Sequence, residues 1–501
     1  MIVELLDHGN PDHVALTTAG GGHALTYGNL KAQVQDLAAS LNQLGLGRGD
    51  RIAMALPNGI ELISSFLAAA TAGTAAPLNP AYKYDEFKFY LEDTKARALI
   101  LPPGELEEAR RAAGDQVLII EASIDSSGRV QYASDGKVGP AQSVDQPTDD
   151  DIALMLHTSG TTSRPKRVPL AHKNLKISAR NVAGWYQLSS DDVSLCVMPL
   201  FHVHGLVAST LATFYSGGSV VVVPRFNPLT FWATVRDHRA TWYSAVPTIH
   251  QVLVSRAKPG MRPQGAEFLR FIRSCSASLS PQTMFDIEER FGVPILEAYG
   301  MTEAAHQMAS NPLPPEARKP GSVGMGGSVR IAILNEKGDL LPPGAQGEIS
   351  IQGPNVFNGY EDNPQANAAA FTNGWFRTGD QGFLDDDGYL TLSGRIKELI
   401  NRGGEKISPR EIDEILVGHP AVAEAVCFGI PDRTYGEEVA AAVVLRTPAT
   451  ESEIIKYCEG VLAAFKAPKV IYILDSIPKT ATGKIQRRIV AAEVGKNSSP
   501  A

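Results

Sequence analysis

Apolar and polar positions along the chain fall into blocks that read alternately as strand and helix. Leu25 to Gly45, LTYGNLKAQVQDLAASLNQLG, combines a short strand with an amphipathic helix ended by Gly45. RIAMALPN from Arg51 is a buried strand running into a Pro/Asn turn, and ELISSFLAAATAG is a further helix. DEFKFYLEDTKA is another helix, leading into the strand ALILP at Ala98. Ser123 to Asp150 is polar and turn-rich and is expected to be a surface excursion. The alternation resumes with a helix near Lys173 to Tyr186, the strand VSLCVMPL, a helix after PLFHVHG and the apolar run GSVVVVP. It continues through ATWYSAVPTIHQVL, LRFIRSCSASL and VPILEAYGMTEAAH. Such alternation predicts a largely parallel sheet covered by helices, with ligands collecting outside the carboxyl ends of the strands. The loops beginning at Pro199, Pro247, Ser274 and Tyr299 are therefore expected to converge on the segment following Leu156.

Beyond Pro312 the pattern changes to short strands with turn pairs, RIAILNEKGDLLPPG, GEISIQG and GFLDDDGYLTLSG, which predict an antiparallel β subdomain. After Ser393 the chain forms a smaller α+β unit. Ser408-Pro409-Arg410-Glu411 has the form of a capping box with proline at the first helical position. The strands AVAEAVCFGI and EEVAAAVVL follow, then a helix whose apolar face carries Ile454, Ile455, Cys458, Val461, Leu462 and Phe465. The expected fold is thus α/β, with a large N-terminal domain of several subdomains (parallel and mixed sheets with helices, plus the β subdomain) and a small C-terminal domain.

A length of 501 residues exceeds what one core usually serves, in keeping with more than one domain. The net charge of -8, without a basic tract, argues against nucleic acid or acidic membranes as partners. The best apolar stretch, Phe66 to Leu78, is too short and too rich in Gly and Ala to span a bilayer. Cys196, Cys275, Cys427 and Cys458 are far apart and form no CxxC pair, which points away from a zinc site or disulfide framework. The N-terminus lacks a secretory pattern and KNSSPA is no peroxisomal tripeptide, so a cytoplasmic location is expected.

Candidate chemistry centres on LHTSGTTSRPKR, Leu156 to Arg167. Every residue from Thr158 to Ser163 is Gly, Ser or Thr, and Lys166 follows closely. Glycine lets backbone N–H groups approach an anion, hydroxyls add donors and lysine adds a point charge, so the segment suits a phosphate-wrapping loop. It is not the GxxxxGK[ST] type, because Lys166 follows proline and precedes arginine. Four more segments support it. In EAYGMTE, Glu297 to Glu303, a tyrosine can stack on a base, Thr302 can donate to phosphate and Glu303 can hold Mg²⁺. Asp380 of WFRTGDQG can accept both hydroxyls of a ribose. SGRIKELINRGGEKISP sets Arg395, Lys397, Arg402 and Lys406 around Gly403-Gly404, and PKTATGKIQRR carries Lys484 in a turn.

In this order the five segments resemble the adenylate-forming superfamily of acyl-CoA synthetases, luciferases and peptide-synthetase adenylation domains, from about Thr26 to Arg488. The resemblance implies an N-terminal AMP-binding domain over residues 1–394 and a mobile C-terminal domain over 395–501 that rotates about Lys397. It further implies that Thr158, Ser159, Gly160, Thr161, Thr162 and Lys166 grip the phosphates of ATP. Tyr299, in the Glu297-Ala298-Tyr299 run, would pack on adenine, Thr302 would contact the α-phosphate and Glu303 would bind Mg²⁺. Asp380 would hold the ribose with Arg395 beside it. Lys484 would bridge the substrate carboxylate and α-phosphate during adenylation. Rotation would then bring Gly403-Gly404 to the site for attack by coenzyme A, with His202 gating the acyl pocket.

The segments expected to line that pocket contain His202, His204, His250, Arg273, Ser276 and His306. Lining of this polarity suits a short acid with a second carboxylate better than a fatty acyl chain. FHVHG, FIRSCSASL, MTEAAHQMASNPLP and TTSRPK resemble the oxalate–CoA ligase branch, which implies that Ser276 and His306 hold the distal carboxylate. Other short or dicarboxylic acids and aryl or fatty acids compete as substrates; a carrier-protein-loading enzyme and a non-catalytic binding protein compete as functions. One residue departs from the pattern: Arg167 stands where the family usually has glycine, and is expected to strain the loop if φ there is positive. Oligomeric state has no signature in the sequence.

Overall fold

The computed structural model describes residues 1–134, 136, 147–158, 165–258, 260–480 and 483–497, the last three as backbone only. Two large sheets form the N-terminal part. One has seven strands, and strands Arg51–Met54, Thr74–Pro77, Ala98–Leu101 and the start of Leu118–Ile124 run parallel within it. Strand Val130–Ala133 closes one edge as an antiparallel hairpin, so the polar stretch after Ser123 is partly sheet. At the other edge Ile152–Thr158 pairs antiparallel with Lys166–Ala171, placing Thr158 opposite Lys166 and His157 opposite Arg167.

The second sheet has eight strands, in which Val193–Cys196, Ser219–Val222, Trp242–Ala245, Phe271–Ser274 and Ile295–Met301 are parallel neighbours. Helix His172–Trp185 packs between it and the first sheet. The helix expected after PLFHVHG is π-helical over His204–Leu211, wholly buried, before becoming α-helical at Ala212. Wide turns of this kind gather at functional sites.

EAYGM is the end of strand Ile295–Met301 rather than a loop after it. Three residues of 3₁₀ helix then reverse the chain into the antiparallel strand His306–Ser310. Gly300 permits that reversal, because a Cβ there would lie 2.1 Å from the carbonyl oxygen of His306. The β subdomain is antiparallel as expected, with Arg330–Leu334, Gly347–Gln352, Trp375–Leu384 and Leu390–Arg395 in succession.

The last sheet begins at Ile400 and is built on the hairpin Val422–Asp432 with Gly436–Leu445. Its core is a separate cluster that includes Ile412, Cys427, Val443 and Ile454. Ser408 starts helix Pro409–Val417 but does not cap it; its hydroxyl donates instead to the carbonyl of Ser393, tying the helix start to the preceding strand. Helix Glu451–Glu459 is capped by a Thr450/Glu453 box and stops at Gly460, which leaves Val461 exposed rather than on the buried face.

Candidate active site

At the carboxyl ends of the parallel strands, buried polar side chains replace the apolar core. Arg273, on strand Phe271–Ser274, is fully buried. It donates from Nε to Tyr186 Oη (2.8 Å), from Nη1 to Ser244 Oγ (3.0 Å), and from Nη2 to Gln307 Oε1 (3.2 Å) and His306 Nδ1 (3.4 Å). All four acceptors are neutral, and among the described residues no carboxylate pairs with this guanidinium. Burial opposes its charge, while Tyr186 and Cys275 offset that and leave its pKa raised. His204 bridges Ser276 Oγ (3.0 Å) and Ser244 Oγ (2.6 Å), and its ring lies 5.3 Å from that of His306. Burial, then Arg273, hold both histidines well below the ordinary range, so both are neutral at pH 7. Lys484 acts on both histidines in the same direction as Arg273, so their pocket lies within reach of two cations. Ser276 (φ +73°) and His306 (φ +120°) both occupy left-handed backbone, a strain that concentrates at functional sites. Of the expected pocket residues, Arg273, His204, Ser276 and His306 thus come together. His250 is instead a core residue, its Nδ1 3.2 Å from Tyr243 Oη.

On the nucleotide side, register places Asp380 directly across from Arg395, and Arg395 Nε lies 2.9 Å from Asp380 Oδ1. Tyr299 donates its hydroxyl to the other oxygen of the same carboxylate. Asp380 is buried within a strand, joining the tyrosine to the arginine. Glu297 is buried beside Ala298, and its Oε1 accepts from the backbone of Leu279 (2.9 Å). Burial lifts Glu297 to about 7. Glu303 follows Thr302 in the 3₁₀ turn; its carboxylate accepts from Tyr360 Oη (2.8 Å), and burial raises its pKa. Lys166 lies with Nζ 4.3 Å over the ring of Tyr360. Thr158 ends its strand opposite Lys166. Ser159, Gly160, Thr161 and Thr162 lie outside the described residues.

Glu303 suits Mg²⁺. Magnesium keeps several waters and takes one or two carboxylates together with substrate phosphates. Among the described residues no group of three or more His, Cys, Asp or Glu gathers into a metal cage, and Glu303 shares Tyr360 with Lys166.

From the C-terminal unit, Gly483 and Lys484 reach this site. Thr480 N donates to Lys484 O (2.8 Å), and Gly483 (φ +80°) comes so close to helix Pro247–Arg256 that a Cβ would lie 2.9 Å from Thr248 Oγ1. Lys484 keeps accessible surface. Enough protein nevertheless surrounds its ammonium that burial, then Arg395, lower its pKa, while Cys275, Asp380 and Glu303 attract it. His202 is half-buried at the same site, lowered to about 4 by burial and then by Lys484. Gly403 (φ +61°) and Gly404 (φ +101°) form a hairpin turn that only glycine adopts easily; it is exposed and its backbone bonds to Tyr435 (2.8 Å). Lys397 stands exposed in the short 3₁₀ turn Ile396–Glu398, near enough to Lys166 to lower that lysine's pKa after burial has done so.

Arg167 does not strain the backbone. It lies in strand Lys166–Ala171 and is not among the residues with positive φ. Its guanidinium binds the Asp93 carbonyl (2.7 Å) and Asp362 Oδ2 (2.6 Å), with Glu361 Oε2 2.7 Å from Nε. Reading by motif missed Tyr360, Ser244, Gln307 and Tyr186. Only Gln307, next to His306, carried a signal through its neighbour; the others become polar contacts through tertiary packing.

Residues 6–361 match the AMP-binding enzyme family and residues 411–484 its C-terminal domain. The chain is 48% identical to an oxalate–CoA ligase of Arabidopsis thaliana over 496 residues, covering 96% of this chain and 95% of that protein. It is 44% identical to an oxalate–CoA ligase of Saccharomyces cerevisiae, covering 97% and 96%. Among solved structures, ATP-bound MatB from Rhodopseudomonas palustris superposes with a TM-score of 0.88 at 30% identity, covering 99% of each chain. Buried Asp380 bonded to Tyr299 and Arg395, and a carboxy-terminal lysine inserted beside them, sit on a fold and a sequence that agree throughout: the chain belongs to the AMP-binding enzyme family.

Proposed function

We propose that this protein is an ATP-dependent oxalate–CoA ligase, converting oxalate, ATP and coenzyme A to oxalyl-CoA, AMP and diphosphate. The observation that carries the choice of acid is the buried Arg273 guanidinium, bonded among the described residues to neutral acceptors beside His204, Ser276 and His306. A buried charge without a counter-ion costs several kcal/mol, which an anionic substrate group recovers. With both histidines neutral, Arg273 and Lys484 supply the positive charge near them, which suits a dianion with two carboxylates. Ser276 and His306 orient the distal carboxylate, and Lys484 takes the reacting one. The relatives named for oxalate support the same reading.

In the first half-reaction a carboxylate oxygen of oxalate attacks the α-phosphorus and diphosphate leaves. Charge grows on the α-phosphate oxygens, where Lys484 and Thr302 stabilise it by position alone. Bound Mg²⁺ supplies Lewis-acid neutralisation of the phosphates, with Glu303 as its protein ligand. Asp380 and Arg395 fix the ribose, Tyr299 packs on adenine, and Lys166 with the loop from Thr158 to Thr162 holds the phosphates. The C-terminal unit then turns about Lys397, withdrawing Lys484 and presenting Gly403-Gly404, and the coenzyme A thiol attacks the oxalyl carbonyl with loss of AMP, while His202 gates the acyl pocket.

The four cysteines are buried and unbridged, in keeping with a reducing compartment, which we place in the cytoplasm. No helix of the described residues is long and apolar enough to cross a membrane. Mass-spectrometric detection of oxalyl-CoA from purified protein, Mg-ATP, oxalate and coenzyme A tests the proposal; its absence, while another acid yields its thioester, would remove oxalate.

A further inference from the structure

The segment Tyr360-Glu361-Asp362 receives Lys166 and Arg167 residue for residue. Lys166 lies on the ring of Tyr360, at 4.3 Å, while the hydroxyl of that ring donates to Glu303 at 2.8 Å. One buried side chain thereby touches both the phosphate-loop lysine and the carboxylate assigned to magnesium. Its backbone is fixed on both sides: Tyr360 N donates to Asn367 Oδ1 (2.7 Å) and Asn367 Nδ2 donates to Tyr360 O (2.9 Å). Its ring packs edge-on against Phe357 at 4.9 Å. The ring is buried, with its hydroxyl donating to Glu303.

Arg167 anchors the same contact. Its side chain is only 10% exposed and joins Glu361 and Asp362 to Asp93 at the end of helix Tyr84–Thr94. Glu361 N also donates to Arg167 O (3.2 Å). His157, across the hairpin from Arg167, holds the same Asp93 through Nε2 (3.0 Å). Both strands that flank the phosphate loop are thus pinned at its base, and a glycine at 167 makes none of these side-chain bonds.

We infer that Tyr360, anchored through Arg167, is a positioning residue that holds Lys166 and Glu303 in register for Mg-ATP. This rests on the roles given above to Lys166 and Glu303. A lysine on an open strand end samples many rotamers; on the Tyr360 ring it is confined before nucleotide arrives. Nucleotide phosphates then meet the ammonium where the ring holds it, while the phenol keeps its bond to Glu303.

Calorimetric titration of ATP, with and without Mg²⁺, separates this from a packing role. Tyr360→Phe keeps the ring and loses the hydroxyl, so the Mg²⁺ needed for half-maximal ATP affinity rises several-fold while metal-free ATP affinity stays put. Tyr360→Leu also loses the ring and weakens ATP about tenfold. Arg167→Gly weakens ATP to a similar degree and Arg167→Lys restores part of it, with oxalate KM in AMP release unchanged throughout. Lys166→Ala is the control. If it leaves ATP affinity intact, the role of Lys166 fails and this inference with it. If Lys166→Ala weakens ATP but Tyr360→Leu and Arg167→Gly do not, the positioning role alone is overturned. Equal loss of ATP and oxalate affinity in Tyr360→Phe, alongside a lowered melting temperature, would likewise overturn it in favour of packing.

Discussion

Replacing Arg273 with methionine isolates the charge that selects a dicarboxylate. The variant keeps most of the side-chain volume and removes the guanidinium from a fully buried position. For a carboxylate about 6 Å away at an effective dielectric constant of about 20, the lost attraction is ~3 kcal/mol, or about a hundredfold in kcat/KM. Tyr186, Ser244 and Gln307 lose a donor, at about 1 kcal/mol each. Relief of the buried charge offsets much of that, and Tyr186 keeps Gln307 and Ser310 as partners. The melting temperature should therefore fall by only a few degrees. AMP release is measured at varied oxalate and varied acetate, at 0.15 M salt. Oxalate should lose about a hundredfold in kcat/KM, and acetate, lacking the second carboxylate, no more than a few-fold. Equal losses for both acids, at an unchanged melting temperature, would refute the assignment of Arg273 to the distal charge.

Other expectations follow from the same geometry. Lys484→Ala should abolish acyl-adenylate formation by a factor of about 100 or more, while thioester formation from supplied oxalyl-adenylate largely survives; equal loss of both half-reactions would contradict domain rotation. Ser276→Ala removes a hydroxyl bonded to His204 and should raise the KM for oxalate about tenfold with little change in that for ATP, as read from initial rates. His172 is buried, accepts from Ile2 N (3.1 Å), and is lowered from 6.5 to about 4 by burial first and the N-terminal ammonium second. Its folded pKa lies below the unfolded one, so the unfolded chain takes the proton first; the contribution is full above pH 6.5 and fades as pH falls towards 4, by up to ~3 kcal/mol. Urea unfolding of His172→Asn across that window should show a flatter pH dependence than wild type, and parallel curves would sink the assignment.

The fold was legible wherever burial imposes a period on the residues. Leu25 to Gly45 gave strand and helix almost to the residue, since Leu30, Val34, Leu37 and Leu41 trace one apolar face. The parallel strands were legible as apolar runs for the same reason. The loop expected to begin at Tyr299 is strand as far as Met301, because the strand continues on pairing with His306–Ser310, a contact made only in three dimensions. Ser408 had the local form of a cap, but its hydroxyl donates to the Ser393 carbonyl of the preceding strand instead. Val461 fitted a helical face whose helix ends before it, at Gly460.

Of the site, the acidic and basic groups at Asp380, Arg395, Glu303 and Lys484 were legible through motif order, and the structure brings them to one cleft. Arg167 looked like a liability because its partners, Asp93, Glu361 and Asp362, come from two distant segments. Tyr360 was illegible for a similar reason: no spacing rule ties it to Lys166 or to Glu303. His250 shows the opposite error, since a histidine near the pocket in sequence is a core residue in space, its Nδ1 facing Tyr243.

The most direct measurement is AMP production from Mg-ATP and coenzyme A with oxalate, malonate, acetate, octanoate and 4-coumarate in parallel. A signal dominated by oxalate and dependent on coenzyme A is the expected result. Activity mainly with octanoate or 4-coumarate would contradict the reading of Arg273, Ser276 and His306 as a carboxylate site.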